Sequence, residues 1–193
     1  LFPSPTLFRS LRIIPEYPIR MQWHRLELPH REAMLEAIRR LKAAKRRKIM
    51  LLHHCVHCAT MGIQSFRAAL AEHHITHYPE LELFCPKNYN QLCEILETRF
   101  FEVPDCDAAI AWHSLPAEAA ATVLQRMGRA IPGDISLIAL DEHPRLATGE
   151  LPITVVDASP DGSGMAAVEM LAQNSATPQV RKINYQVYDR KSV

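Results

Sequence analysis

Residues 108–140 decide the fold class. They read Ala108-Ala109-Ile110-Ala111, then Trp112-His113-Ser114-Leu115, then Pro116-Ala117-Glu118-Ala119-Ala120-Ala121-Thr122-Val123-Leu124-Gln125-Arg126-Met127, and, past Gly128 to Asp134, Ile135-Ser136-Leu137-Ile138-Ala139-Leu140. The two short apolar runs have no polar alternation, which is the mark of strands buried on both faces. The stretch between them is rich in Ala and carries Pro near its start, where a missing N–H costs a helix nothing. Strand, helix, strand in this order predicts parallel strands joined by a covering helix.

The same unit recurs in both directions. Upstream, Met34, Leu35, Ile38 and Leu41 recur at three- and four-residue intervals and predict a helix from Arg31. Ile49-Met50-Leu51-Leu52 predicts a strand, residues 64–72 a helix, Leu81-Glu82-Leu83-Phe84 a strand and residues 90–99 a helix. Downstream, Ile153-Thr154-Val155-Val156 predicts a strand, residues 163–173 a helix and residues 183–188 a closing strand. The first 25 residues carry no clean period, with one short strand expected near residues 11–14. The class is α/β, with parallel sheets flanked by helices.

Composition bounds the function. Hydrophobic residues make up 48% of the 193 and charged residues 22%, which excludes a disordered chain or a coiled coil. No apolar run approaches a membrane span, and no signal peptide opens the chain. The start at Leu1-Phe2-Pro3 reads like the middle of a protein, so a fragment is expected. Cys55, Cys58, Cys85, Cys93 and Cys106 are an odd set with no secretory signal, consistent with free thiols in the cytoplasm. The net charge of +1 conceals a basic first 50 residues, with 12 Lys and Arg against 4 acids. The run Lys45-Arg46-Arg47-Lys48 has no interleaved aromatic residue and reads first as a solvated helix end, with a nucleic-acid patch as the alternative.

In parallel sheets, ligands bind beyond the carboxyl ends of the strands. The residues there are 53–58, 85–89, Trp112-His113 and Asp141-Glu142-His143. His53-His54-Cys55-Val56-His57-Cys58 has the residue types of a zinc site. One short loop does not wrap four ligands tetrahedrally, and the chain is rich in His elsewhere, so no metal is expected. Asp161-Gly162-Ser163-Gly164 lacks the third glycine of a dinucleotide fingerprint and reads as a helix-entry turn. Asp141 and Glu142 are adjacent in a turn and are not expected to face one substrate together. No catalytic residue and no cofactor is expected, so the chain does not read as an enzyme. A zinc-dependent hydrolase would require His53, His57 or Cys58 to hold metal.

Residues 130–142 (Ala-Ile-Pro-Gly-Asp-Ile-Ser-Leu-Ile-Ala-Leu-Asp-Glu) resemble the segment "hxVPxDISVVGFDD" of LacI/GalR-type transcriptional regulators. Residues 152–156 and 164–171 resemble their "PLTTVxQ…MGxxAVxxLL", residues 39–52 their "HLxxLGHRRIAFL", and residues 65–70 their "GFRxAL". Tyr188-Asp189-Arg190-Lys191-Ser192 stands where that family ends in "VxRxS". The resemblance runs in one order from about Glu27 to the end. It implies an effector-binding domain shaped like a type I periplasmic binding protein, with two α/β lobes around a cleft and the N-terminal lobe incomplete. On that mapping 1–24 is a remnant of the first lobe, 25–149 the C-terminal lobe, 150–177 a crossover into the first lobe and 178–193 the closing strand. The implied partners are a small-molecule effector such as a carbohydrate, a second copy of the chain, and operator DNA held by a helix-turn-helix headpiece outside these residues. The runner-up is a solute-binding protein of the same fold serving a transporter or sensor.

The implied ligand contacts carry over in part. Asp141 matches the first acid of "GFDD", a charged acceptor for hydroxyls. Gly62 stands where the family has Arg, next to Met61, and Ala111-Trp112-His113 stands where it has "AND". Loss of the guanidinium and the amide implies a pocket with altered chemistry. The expected ligand-binding set is Asp141, Trp112, His113, His54, Met61 and Tyr89, with Trp112 offering its face for stacking. Dimer contacts are expected on helices 64–72 and 116–127.

Overall fold

A computed structural model describes residues 11–14, 24–53, 56–158, 162–173 and 177–193, and at 11–14 and 56–61 the backbone alone. Two sheets are built from it. Strands β3 (Ile49–His53), β4 (Glu82–Phe84), β5 (Ala108–Ala111), β6 (Ser136–Ala139), β7 (Thr154–Asp157) and β9 (Gln186–Tyr188) form a six-stranded sheet in the order β4-β3-β5-β6-β7-β9. All its pairings are parallel except β7 with β9. Strands β1 (Leu11–Ile14), β2 (His24–Glu27) and β8 (Val180–Lys182) form a parallel three-stranded sheet in the order β1-β2-β8.

Helices cover both faces of the larger sheet, as its four interior strands, buried throughout, demand. Along β3, Ile49 and Leu51 point to a cluster with Met34, Ile38 and Leu41 of α1 (His30–Ala43) and Phe66, Ala69 and Leu70 of α2 (Val56–Glu72). Met50 and Leu52 point the other way. They meet Leu92, Leu96 and Phe100 of α3 (Tyr89–Glu102) and Ala117, Ala120, Val123 and Leu124 of α4 (Ser114–Arg126). The period of two along each strand is what divides the core into these two layers. Helices α2 and α4, expected on one side of the lobe, therefore lie on opposite faces. Most of the small residues of α4 are consumed by the core: Ala117, Ala119, Ala120 and Val123 are fully buried.

Many elements begin and end close to the periodicity-based expectations; the differences include strand β2, which falls where the sequence predicts no strand. α2 starts at Val56, eight residues before the apolar stripe became legible at Gln64. A short helix α5 (Pro144–Thr148) follows β6 and was not anticipated; five residues carry no period. Of the expected strand over 183–188 only Gln186–Tyr188 (β9) forms, and a separate strand, β8, lies before it at Val180–Lys182 in the other sheet. Helix α6 (Gly162–Ala172) packs Ala166, Ala167 and Met170 on Leu26 of β2, so the Gly162 turn is a helix entry.

Sheet membership follows the strand pairings. Residues 25–27 lie in the small sheet with β1 and β8. Strand β7 lies in the large sheet beside β6, and the chain passes to the small sheet after Asp157. Strand β8 belongs to the small sheet, and β9 pairs in the large one. The reason is burial: Thr154–Asp157 is buried throughout and needs neighbours on both sides, whereas Val180–Lys182 is exposed and fits a sheet edge.

The basic run is largely a structural device. Arg46 gathers the loop before β6, with its guanidinium donating to the carbonyls of Pro132 and Gly133 and, at 3.0 Å, to Ser136 Oγ. The Asp107 carboxylate accepts from the backbone N–H groups of Arg47 (2.8 Å) and Lys48 (2.9 Å), and Lys48 Nζ lies 2.7 Å from Asp105. The left-handed Lys45 (φ 63°) ends α1. Two of the four cations are thus committed to joining the α1–β3 turn to the start of β5 and β6. The tail is equally tied in: buried Ser192 accepts from the Thr154 N–H at 2.8 Å and donates to Leu137 O, while its own carbonyl accepts from the Leu137 N–H at 2.9 Å.

Candidate functional site

The parallel register aligns the ends of three strands. Leu52, Ala111 and Ala139 lie side by side, and the ladder continues one step further. The Trp112 N–H donates to Leu52 O (2.8 Å), the Leu140 N–H to Ala111 O (2.9 Å) and the Cys85 N–H to His53 O (2.6 Å). Side chains immediately after these strands therefore emerge on one edge. The start of α1 brings His30 to the same edge.

Four side chains converge there. His113 Nδ1 lies 3.8 Å from Asp141 Oδ2, with both side chains about one-third or more exposed (33% and 40%). At that distance the contact is electrostatic rather than a direct hydrogen bond. The His113 imidazole is the main reason the Asp141 carboxyl is held below the usual carboxylate range, with the Ser114 N–H and His143 adding to it and partial burial opposing. Asp141 is thus an ionised acceptor at neutral pH. His30 stacks on Trp112 with ring centroids 5.4 Å apart and planes tilted by 37°. Burial, then the nearby His113, pushes the His30 pKa down, so its imidazole is neutral, and its Nδ1 is buried with no hydrogen-bond partner among the described residues.

The expected residues separate. Asp141, Trp112 and His113 are brought together. Trp112 offers no open face: it is 7% exposed and belongs to the α1/α2 core layer. This departs from the stacking expectation because the α2 backbone at Gly62 closes over the indole. A Cβ built at Gly62 would lie 3.1 Å from Trp112 Cε3 and Cζ3. Tyr89 turns instead to α4, with its hydroxyl 3.0 Å from Thr122 Oγ1. His54 and Cys55 lie outside the described residues, as do the side chains of Met61, His57 and Cys58. Among the described residues no group of three or more His, Cys, Asp or Glu could hold a metal ion. His53 is buried against Phe84 (5.6 Å, edge to face), and burial pushes its pKa down and that of the neighbouring Cys85 up to about 12. Cys85, Cys93 and Cys106 are buried free thiols.

Glu142 points away from Asp141. Its carboxylate takes both oxygens to Arg190 Nη2 (3.0 and 2.9 Å), and Arg190 Nη1 donates to Ile153 O at 2.8 Å. The loop bearing Asp141 is thereby pinned to the closing segment. His30 was missed by the sequence reading: Leu28-Pro29-His30 signals only a helix start, and nothing local shows what that start faces.

A groove of about 600 Å³ lies on the α4 side. Tyr89, Glu118, Thr122 and Gln125 line one wall and Arg145, Glu150 and Leu151 the other. Glu118 Oε2 stands 3.6 Å from Arg145, so both signs of charge meet across it.

The sequence profile of the periplasmic binding protein-like domain matches residues 30–193, and the chain belongs to that family. The fold agrees with solved transcriptional regulators. The cellobiose complex of the regulator CelR has a TM-score of 0.78 at 19% identity, over 94% of this chain and 58% of that one. The LacI family regulator from Arthrobacter sp. FB24 in complex with lactose has 0.79 at 19%, over 93% and 70%. The regulator GntR from Chromobacterium violaceum also has 0.79 at 19%, over 93% and 69%. This chain spans 58% of the CelR structure's length. No curated protein sequence matches it. No helix among the described residues is long and apolar enough to cross a membrane.

Proposed function

We propose that this chain is the effector-binding and dimerisation region of a LacI-type transcriptional repressor acting in the cytoplasm. The observation that carries the reading is the convergence of His30, His113 and the ionised Asp141 at the carboxyl edge of the large sheet, where the chain also passes between the two sheets. It does so after Glu27, after Asp157 and after Lys182. A ligand at this edge touches the connections themselves and biases how the sheets sit relative to one another. On this reading each sheet is the core of one lobe, and operator DNA is met by a headpiece outside residues 1–193. The α4–α5 groove, concave and carrying both charge signs, is the face that pairs with a second copy.

The test is a thermal-shift screen of small metabolites, sugars among them, against the purified chain. A ligand that raises Tm is expected to lose that effect in Asp141→Ala, because the substitution removes the ionised acceptor beside His113. Full stabilisation retained in Asp141→Ala removes the site assignment. Sequence-specific retention of duplex DNA by the full-length protein, released by the same ligand, is the expected signature of a repressor; a protein that binds the ligand and no DNA is a solute binder.

A further inference from the structure

We propose that the indole of Trp112 is a built-in occupant of this edge: it fills the volume a sugar ring would use, excludes disaccharides, and leaves the Asp141–His113 pair to a smaller ligand. The inference rests on the reading of this edge as the effector site.

Trp112 is the first residue beyond an interior strand of a parallel sheet, the position from which a side chain ordinarily reaches into the ligand space. Instead it is buried to 7% exposure, packed in one cluster with Phe66, Ile110 and Leu140. Two features accommodate it. On α2, Gly62 has no side chain, and the space where a Cβ would begin is closed by the benzo ring of the indole at 3.1 Å. That separation is too short for an unadjusted carbon–carbon contact, so a side chain at 62 and the indole compete for one volume. On α1, the His30 ring lies against Trp112 at 5.4 Å. Its neutral state follows from burial there. At 7% exposure the indole presents no free π-face. Among the described residues at this edge, exposed polar chemistry is left mainly to Asp141, His113 and His143. A disaccharide needs a broad apolar face and many polar partners; one carboxylate with two imidazoles near it suits a single small polar or cationic group.

The test uses the 193-residue chain, calorimetric titration and thermal denaturation. Lactose and cellobiose at millimolar concentration are expected to give neither heat nor a Tm shift with the wild type. Trp112→Ala is expected to gain a Tm increase from free indole that the wild type does not show. Binding of either sugar by the wild type, or a folded Trp112→Ala variant indifferent to indole, overturns the proposal. Should Trp112→Ala not fold, Trp112→Leu with benzene as the probe takes its place, with the same two outcomes. Gly62→Ala adds a ligand-free measurement. Ala is the better helix former, so the substitution should lower Tm only where the indole is present and raise it in Trp112→Ala; equal effects in both backgrounds overturn the claim of shared volume. If the effector reading fails, Asp141→Ala is without consequence for any ligand while the indole and Gly62 outcomes stand. If the occupant fails, those outcomes are lost while an Asp141-dependent response persists.

Discussion

Protonation at the sheet edge is set residue by residue. Asp141 has its pKa lowered by His113, so its contribution to stability is present above the ordinary carboxylate range and is lost as pH falls through the lower native value. His30 and His53 have pKa values pushed down from 6.5 by burial. The unfolded chain therefore takes up protons near that pH before the native one does. Stability that is full above it declines as pH drops through the interval towards the native values. Urea denaturation at about pH 7.5 and about pH 5.5 should show this decline, and His30→Phe should make it shallower; an unchanged slope would mean that His30 is not held neutral. The Asp141 and His113 positions were legible because each follows a strand in a parallel sheet. The burial of Trp112 was not, since it depends on Gly62, which is fifty residues away in the chain and is brought opposite by α2.

At the scale of elements, periodicity did most of the work. Alternate residues of β3 feed two separate core layers, and the stripes of α1 and α3 are the ones their spacing announces. What periodicity lacks is any hold on short or edge elements: α5 has five residues, and β8 is exposed throughout. The closing tail shows how such pieces are held instead, by specific polar contacts. Ser192→Ala should leave the buried Thr154 N–H without its acceptor and lower unfolding stability by about 1–3 kcal/mol, read as a fall in the urea midpoint at constant slope. The Arg190–Glu142 pair nearby, in the same tail, connects it to the loop carrying Asp141.

For the whole molecule, the question is which surface meets a second copy. The α4–α5 groove carries the dimer reading, and Thr122 lies exposed on its wall. Thr122→Arg should shift the chain towards monomer in sedimentation velocity with little change in Tm, because the substituted side chain leaves the core untouched. A wild type that sediments as a monomer at high concentration would place the contact elsewhere. The small sheet has its own logic: Leu26, Ala166, Ala167 and Met170 form a core cluster apart from the two layers of the large sheet.

Patterns local in the chain are legible in the sequence itself. Continuous apolar runs identify buried parallel strands, because a strand covered on both faces tolerates no polar alternation. The α/β class, the position of Asp141 and the family resemblance over residues 130–142 all follow from such short-range signals. Long-range pairing was another matter. That β7 stays beside β6, that Arg46 closes the loop at 132–134, and that His30, Gly62 and Trp112 share one volume depend on segments far apart in sequence. Register, burial and excluded volume between distant segments come into being only when the chain packs, and these set the shape and polarity that the candidate site presents to a ligand.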